Sequence, residues 1–284
     1  MNGPVDLHIH TRLSDGYYTP TEIVEMAAGQ GFRAIAIADH DSISGIDEAI
    51  AAGKIHGVEL IPAVELSIEV KGHHDVHLLA YFIDHKDHHF NKRLEHFRER
   101  RDRRGREIIS RINSKLAAEN RGAITFEEVL VGSDGALGRP HIARALISRG
   151  YVTDMNAAFE NYLIPCDVPK EYFAADEAIM EIHRIGGLAV LAHPTSISRD
   201  RTVLREAIGT MVTVGLDGLE AFNCMASMEE ADFLQGIARR HRLVVTGGSD
   251  FHGNSDETAL GFADGRFIID YRLVESLKER VSGR

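Results

Sequence analysis

Three short stretches of the chain hold residues able to bind a metal ion or move a proton: DLHIH at 6–10, ADHD at 38–41 and GSDFH at 248–252. In a strand alternate side chains share a face, so Asp6, His8 and His10 line one face while Leu7 and Ile9 pack on the other. One such triplet reads equally as a solvated edge strand or as half of a metal site, and the rest of the chain has to decide between them.

Further ligand types recur at the ends of apolar runs. Asp15 follows the first run past a short turn, His40 closes the second, Glu65 stands in AVELSIEV, and His77 lies in the next run. His193 ends LAVLAHP, and Asp250 and His252 end LVVTGGSDFH. Six imidazoles and three carboxylates exceed what one ion with about four to six ligands can use, and they suit two or three divalent ions. Nitrogen and oxygen donors without cysteine favour manganese, with zinc or iron as alternatives. A multi-metal set of this kind is the usual apparatus for hydrolysing phosphate esters. The remaining histidines read differently: His73, His74, His85, His88, His89 and His96 fall in or beside a polar stretch, and His56, His183 and His241 fall on helical patterns.

These residues are far apart in sequence, so the elements between them must bring them together. TPTEIVEMAAGQG reads as a helix with Thr19 as its cap and Pro20 in the first turn, and FRAIAIADH as a buried strand. SGIDEAIAAGKIHG is a helix; ELIPAVELSIEV and VHLLAYFI are strands. After the middle of the chain the alternation resumes through DEAIMEIHRIGG, LAVLAHP, a helix near 200–214, LDGLEAF, MEEADFLQGIARRHR, LVVTGGSDFH and YRLVESLKERV. About seven strand–helix repeats predict an α/β fold, a parallel (β/α)7 TIM-like barrel in which the strand ends converge on one face. Residues 86–170 break the alternation with helical patterns only. The expected organisation is a barrel from 1–85 and 171–284 with a helical insertion, 86–170.

The 284 residues, 44% hydrophobic, suffice for a full core. Cys166 and Cys224 form no CxxC, which argues against a disulfide framework or a thiolate zinc site. No run is apolar enough for a bilayer span and the start resembles no secretory signal, so a cytoplasmic location without membrane partners is expected. The net charge of −11 argues against a coat for long nucleic acid. Within it lies a basic island: residues 92–121 hold 11 Lys+Arg against 5 Asp+Glu. It reads either as the wet face of a helix striped by Leu94, Phe97, Ile108, Ile112 and Leu116, or as a surface for an anionic ligand.

Taken together, DLHIHT, ADHD, the strand glutamate, a later histidine, AHP and GSDFH resemble the PHP family, named for polymerase and histidinol phosphatase, over residues 5–80 and 176–275. The resemblance implies a distorted seven-stranded β/α barrel. It implies one metal held by His8, His10, Glu65 and Asp250, and a second by Glu65 as bridge with His77 and His193. A third would fall to Asp15, His40 and His252. Glu65, His193 and Asp250 would be the catalytic set, with Asp6 and Asp41 orienting ligand imidazoles.

Within the insertion, GRPHIARALISRG, AAFENYL and PKEYF resemble the cap of a subgroup that removes the 3′-phosphate of nucleoside 3′,5′-bisphosphates and trims short 5′-phosphorylated RNA. Arg139, His141, Arg144, Lys170 and Arg199 are then the expected substrate contacts. The chain departs from the subgroup at Cys166, where glycine is usual, and at HPTSIS, which delays the next arginine to Arg199. The expected ligands are a small nucleotide and short oligonucleotides, with no obligate protein partner. Histidinol-phosphate phosphatase and a non-catalytic PHP binding module are the alternatives. The basic cap disfavours the first, and the full set of nine ligand types disfavours the second.

Overall fold

The computed structural model describes residues 3–70, 72–131, 137–253, 259–261, 267 and 269–283. The first half runs β1 (Val5–Ile9), α1 (Pro20–Gly29), β2 (Ala34–Ile37), α2 (Ile46–His56), β3 (Glu59–Val70) and β4 (His73–Tyr81). Helices follow: α3 (His88–Ala118), α4 (Phe126–Val129), α5 (Arg139–Ser148) and α6 (Met155–Ala158), the last continuing into a π turn at Phe159–Leu163. The chain then returns through β5 (Phe173–Ala174), α7 (Ala175–Arg184), β6 (Leu188–Leu191), α8 (Arg201–Thr213), β7 (Gly218–Phe222), α9 (Met228–His241), β8 (Val244–Gly247) and α10 (Arg272–Ser282).

The strands order β1-β2-β3-β4-β6-β7-β8, with short β5 paired to β3. The ends of this path nearly meet, because the His10 N–H donates to the Phe251 carbonyl at 2.9 Å and the Val5 N–H to the Ile269 carbonyl at 3.0 Å. The result is an almost closed barrel. One part of the expected topology needs correction: β4 runs antiparallel to both β3 and β6, so the sheet is not wholly parallel. β3 ends at Val70 and β4 begins at His73, a connection far too short for a parallel crossover, which needs a dozen or so residues. The reversal matters for the site, since it brings the start of β4, with His77 opposite Ser67, to the end of the barrel where the parallel strands finish.

Period-two alternation sets the two faces. Ile61 and Ala63 on β3, and Leu79 and Tyr81 on β4, pack with Leu7, Ala34, Ala36, Leu188 and Val190 in one apolar cluster. Glu65 and His77 continue those same faces toward the end of the barrel. Outside, α1 and α2 cover Ile35 and Ile37 through Ile23, Val24 and Ala49. Helices α7, α8 and α9 cover Leu66, Leu78 and Leu191 through Ile179, Ile208 and Leu234.

Helix α3 joins the two parts. Its 31 residues span about 46 Å at 1.5 Å each. Phe90 and Leu94 near its start pack into the barrel's outer core. Ile108, Ile112 and Leu116 near its end pack with Ile142, Leu146 and Tyr162 in a separate helical cluster. No helix among the described residues is long and apolar enough to cross a membrane.

Candidate metal centre

All nine expected ligand types meet at one end of the barrel, around Glu65. This carboxylate is fully buried on β3. Its oxygens lie 3.3 Å from His8 Nε2, 3.4 Å from His10 Nε2, 2.8 Å from His40 Nδ1, 3.1 Å from His77 Nδ1 and 3.0 Å from His193 Nε2. Asp250 Oδ1 stands 3.1 Å from His10 Nε2 and 3.5 Å from His8 Nε2. Asp15 sits on the other side of His10, its oxygens 3.8 Å from His10 Nδ1, 3.8 Å from His40 Nε2 and 3.3 Å from His252 Nε2.

These donors fit metal ions on a count of unmet valence. Asp15 Oδ1, His40 Nδ1, Glu65 Oε2 and His77 Nδ1 are buried and make no hydrogen bond of good geometry, although His40 Nδ1 and His77 Nδ1 each touch a Glu65 oxygen and Asp15 Oδ1 lies 3.3 Å from His252 Nε2. A buried polar atom left unpaired costs about 1–3 kcal/mol, so four in one place call for an outside partner. Three clusters offer it: His10, Asp15, His40 and His252; His8, His10 and Glu65; and His40, Glu65 and His77. The all-nitrogen and oxygen donor set suits borderline or hard divalent ions.

The protein's own charges prepare these groups. Burial alone would raise the carboxyls of Glu65, Asp15 and Asp250, but the surrounding imidazoles hold all three well below the usual carboxylate range, so they stay anionic. Burial drives His40 down to about 4, keeping its ring neutral and its lone pair free. Burial also opposes protonation of His252, but Asp15 and Asp250 raise it to about 10.

Backbone geometry helps aim the ligands. His193 and Asp250, with Asp41 beside His40, adopt positive φ of 25°, 56° and 49°. Non-glycine residues in that region signal strain held in place by the surroundings. Gly248 lets β8 approach β1 closely: a Cβ there would lie 2.3 Å from His8 Cβ and 2.5 Å from His8 N.

The expected imidazole-orienting role of Asp6 and Asp41 does not hold. Asp6 accepts the backbone N–H groups of His8, Ser249 and Gly261 and the Ser249 hydroxyl, tying β1 to the segment after β8. Asp41 accepts from the Ser67 backbone at 3.1 Å and from Arg101 at 2.6 Å. The orienting residue is instead Glu220 on β7, whose Oε1 lies 2.9 Å from His8 Nδ1. Asp39 has a similar place one step removed, binding Thr11 and the Ser14 hydroxyl, which in turn lies 3.4 Å from His10 Nδ1.

A basic cleft of about 170 Å³ opens beside the histidines, lined by Asp15, His40, His77, Arg101, Arg104, Arg139 and Lys170 among others. Arg139 and Lys170 both bind Asp75, at 2.7 Å each. Arg144 donates to the Asp15 carbonyl at 2.7 Å and lies over the Tyr17 ring at 4.3 Å. His141 is buried, and its Nδ1 accepts the Gly138 N–H at 2.9 Å, which leaves the proton on Nε2. Arg199 is not among the residues lining this cleft; it is exposed and pairs with Glu230 at 2.7 Å. Arg101 and Arg104, inside the basic island, take a place beside the site that spacing alone did not single out.

Comparison with known proteins agrees with this geometry. The PHP domain family matches residues 6–185. A 5′-3′ exoribonuclease of Haemophilus influenzae is 33% identical over 89% of this chain and 91% of its own length. A 3′,5′-nucleoside bisphosphate phosphatase of Chromobacterium violaceum is 32% identical over 87% of each. Among solved structures, a protein of Bifidobacterium adolescentis assigned to the metal-dependent phosphoesterases superposes with a TM-score of 0.85 at 32% identity, covering 99% of this chain and 98% of its own. An amidohydrolase of Chromobacterium violaceum, solved with sulfate and without metal, superposes with a TM-score of 0.82 at 32% identity, covering 91% and 90%. The buried ring of imidazoles about Glu65 and these matches along nearly the whole length lead to one conclusion: the chain is a member of the PHP domain family, with the barrel and the metal-dependent phosphoesterase chemistry that go with it.

Proposed function

We propose that this protein releases the 3′-phosphate of nucleoside 3′,5′-bisphosphates, giving a nucleoside 5′-monophosphate and inorganic phosphate, and that it also cuts short 5′-phosphorylated oligonucleotides. The observation that carries the reading is the contact of Glu65 with five imidazoles, in a pocket that opens directly into the cleft of Arg101, Arg104, Arg139 and Lys170. The names of the exoribonuclease and bisphosphate phosphatase relatives support the same substrate class.

Two or three divalent ions, manganese by preference, would be held by His8, His10, Glu65 and Asp250, by Glu65 with His77 and His193, and by Asp15, His40 and His252. When bound, such ions polarise a phosphoryl oxygen and acidify water at neutral pH. The chain's own residues do the rest. Glu65, His193 and Asp250 fix the reacting end, while Arg139 and Lys170 hold the phosphate that does not react. Asp75 already keeps those two cations aimed into the cleft. His141 offers a neutral Nε2–H donor and Arg144 is held by the Asp15 carbonyl and the Tyr17 ring, though neither side chain lines the cleft itself. Anchoring one phosphate at a distance spends remote binding energy on positioning the other. We place the helical segment 86–170 as the substrate cap and the reaction in the cytoplasm.

Incubation of adenosine 3′,5′-bisphosphate with the manganese-loaded protein, followed by chromatography, tests this reading. AMP and inorganic phosphate are expected. Accumulation of adenosine 3′-monophosphate would mean the substrate lies the other way round, and turnover of histidinol phosphate alone would overturn the nucleotide reading.

A further inference from the structure

The cleft beside the histidines is small for the whole of a nucleotide. Its volume is about 170 Å³, whereas a site that encloses a small organic ligand usually offers about 300–1,000 Å³. The cations on its wall, Arg101, Arg104, Arg139 and Lys170, suit phosphate. The uncharged nucleobase is therefore the part left outside, on the rim.

Tyr17 stands on that rim. It follows Asp15, a residue of the cleft wall, by two positions, and its backbone N–H donates to the His252 carbonyl at 2.9 Å. The stem of its side chain is fixed, because Gly253 packs so closely that a Cβ there would lie 3.2 Å from Tyr17 Cβ. Arg144, itself held by the Asp15 carbonyl at 2.7 Å, lies over the ring, 4.3 Å from its centre. Tyr17 is nonetheless 46% exposed, and no other phenylalanine or tyrosine among the described residues is as open to solvent. An aromatic ring stiffened by a guanidinium on one face and wet elsewhere is a stacking surface that lacks its outer layer. The ring inside the cleft wall, Phe159, is less exposed and lies 5.6 Å under Arg139, the cation placed on the phosphate that does not react.

Resting on the proposed nucleotide chemistry, we propose that Tyr17 is the platform on which the substrate's base stacks, with Arg144 backing the ring while the two phosphates occupy the cleft and the metal centre. Tyr17 then touches the substrate away from the reacting atoms, so it sets affinity for a base-bearing substrate and not the rate of bond breaking. Every base has a π face, so such a platform accepts all four. Selectivity among them follows stacking strength, with purines ahead of pyrimidines.

Two measurements on manganese-loaded protein test the platform. The chain has no tryptophan, so Tyr17→Trp places a single indole on the rim. AMP should quench its fluorescence on titration, and ribose 5-phosphate, which lacks the base, should not. In the second measurement, kcat/KM for adenosine 3′,5′-bisphosphate is divided by that for 1-deoxyribose 3,5-bisphosphate, the same sugar bisphosphate without its base. This ratio should fall about tenfold in Tyr17→Ala, through KM, and stay within about twofold of the wild type in Tyr17→Phe, which keeps the ring. An equal loss on both substrates overturns the proposal, because Tyr17 would then only shape the rim. An indole that AMP does not quench also overturns it, and would put the base elsewhere, on Phe159 for example. If both bisphosphates are cut at the wild-type ratio in Tyr17→Ala, the platform falls and the proposed reaction stands. If neither is cut by the wild type but AMP quenches the indole, the platform stands and the proposed reaction falls.

Discussion

Glu220 on β7 and His8 on β1 form a fully buried pair across the seam of the nearly closed barrel, Oε1 to Nδ1 at 2.9 Å, while the other Glu220 oxygen accepts the backbone N–H of His193 at 2.7 Å. One carboxylate therefore fixes the tautomer of one expected ligand, leaving its Nε2 bare, and the strained backbone of another. Glu220→Gln should weaken metal binding about 10- to 100-fold, with a parallel loss of activity at limiting manganese. Metal analysis after dialysis against graded manganese reads this directly. Native affinity in Glu220→Gln would show that His8 is aimed by its strand alone.

The sequence made the ligands legible because each stands at the end of an apolar run, where a barrel brings strand ends together. His77 was legible as a ligand for a partly different reason from the one expected, since β4 enters the site by its start and not its end. Glu220 was hidden: in the strand GLEAF it is the single charge among apolar residues, with no second ionisable residue at i+2 to mark a functional face. A buried charge in such a strand is itself the signal that was available, because an unpaired carboxylate would not be tolerated there. Arg101 and Arg104 were masked by the density of arginine around them, and only the packing of α3 against the barrel separates the two that turn inward.

Glu65→Gln removes the charge on which the ligand ring converges. Burial of Glu65 would favour its neutral form, but the His77, His40 and His8 rings keep it ionised. The amide cannot hold two cations, so turnover should fall to background and the stabilisation by added manganese should shrink. Chelated wild-type protein should behave likewise in activity. Full activity in either sample would exclude the metal mechanism.

Gly248→Ala tests how tightly the barrel seam positions His8. Its methyl would meet His8 backbone and Cβ atoms at 2.3–2.8 Å, so β1 and β8 must part. A loss of roughly 2–4 kcal/mol is expected in urea unfolding. Gly209→Ala, in the interior of α8 with nothing within 4 Å of the new methyl, should instead stabilise the fold by up to about 1 kcal/mol. Equal effects of the two substitutions would show that the seam is slack.

His141 gives the acid limb of stability a specific origin. Burial pushes its pKa down to about 4, and Arg144 and Arg101 reinforce the shift against Asp15. Between about pH 6.5 and 4 the unfolded chain takes up a proton at this position while the native protein does not, so stability falls as pH falls through that window. The penalty is absent above about pH 6.5 and grows to about 3 kcal/mol by pH 4, an order-of-magnitude figure. His40, also held at about 4, contributes in the same direction. The imidazoles raised by their carboxylate neighbours, such as His252 at about 10, act in a window above pH 6.5 and leave this one clear. In chelated protein, His141→Gln should therefore flatten the plot of unfolding free energy against pH between 6.5 and 4, and leave its slope above pH 7 alone. Parallel acid limbs in the variant and the wild type would show that the buried ring of His141 is protonated as readily in the native protein as in the unfolded chain.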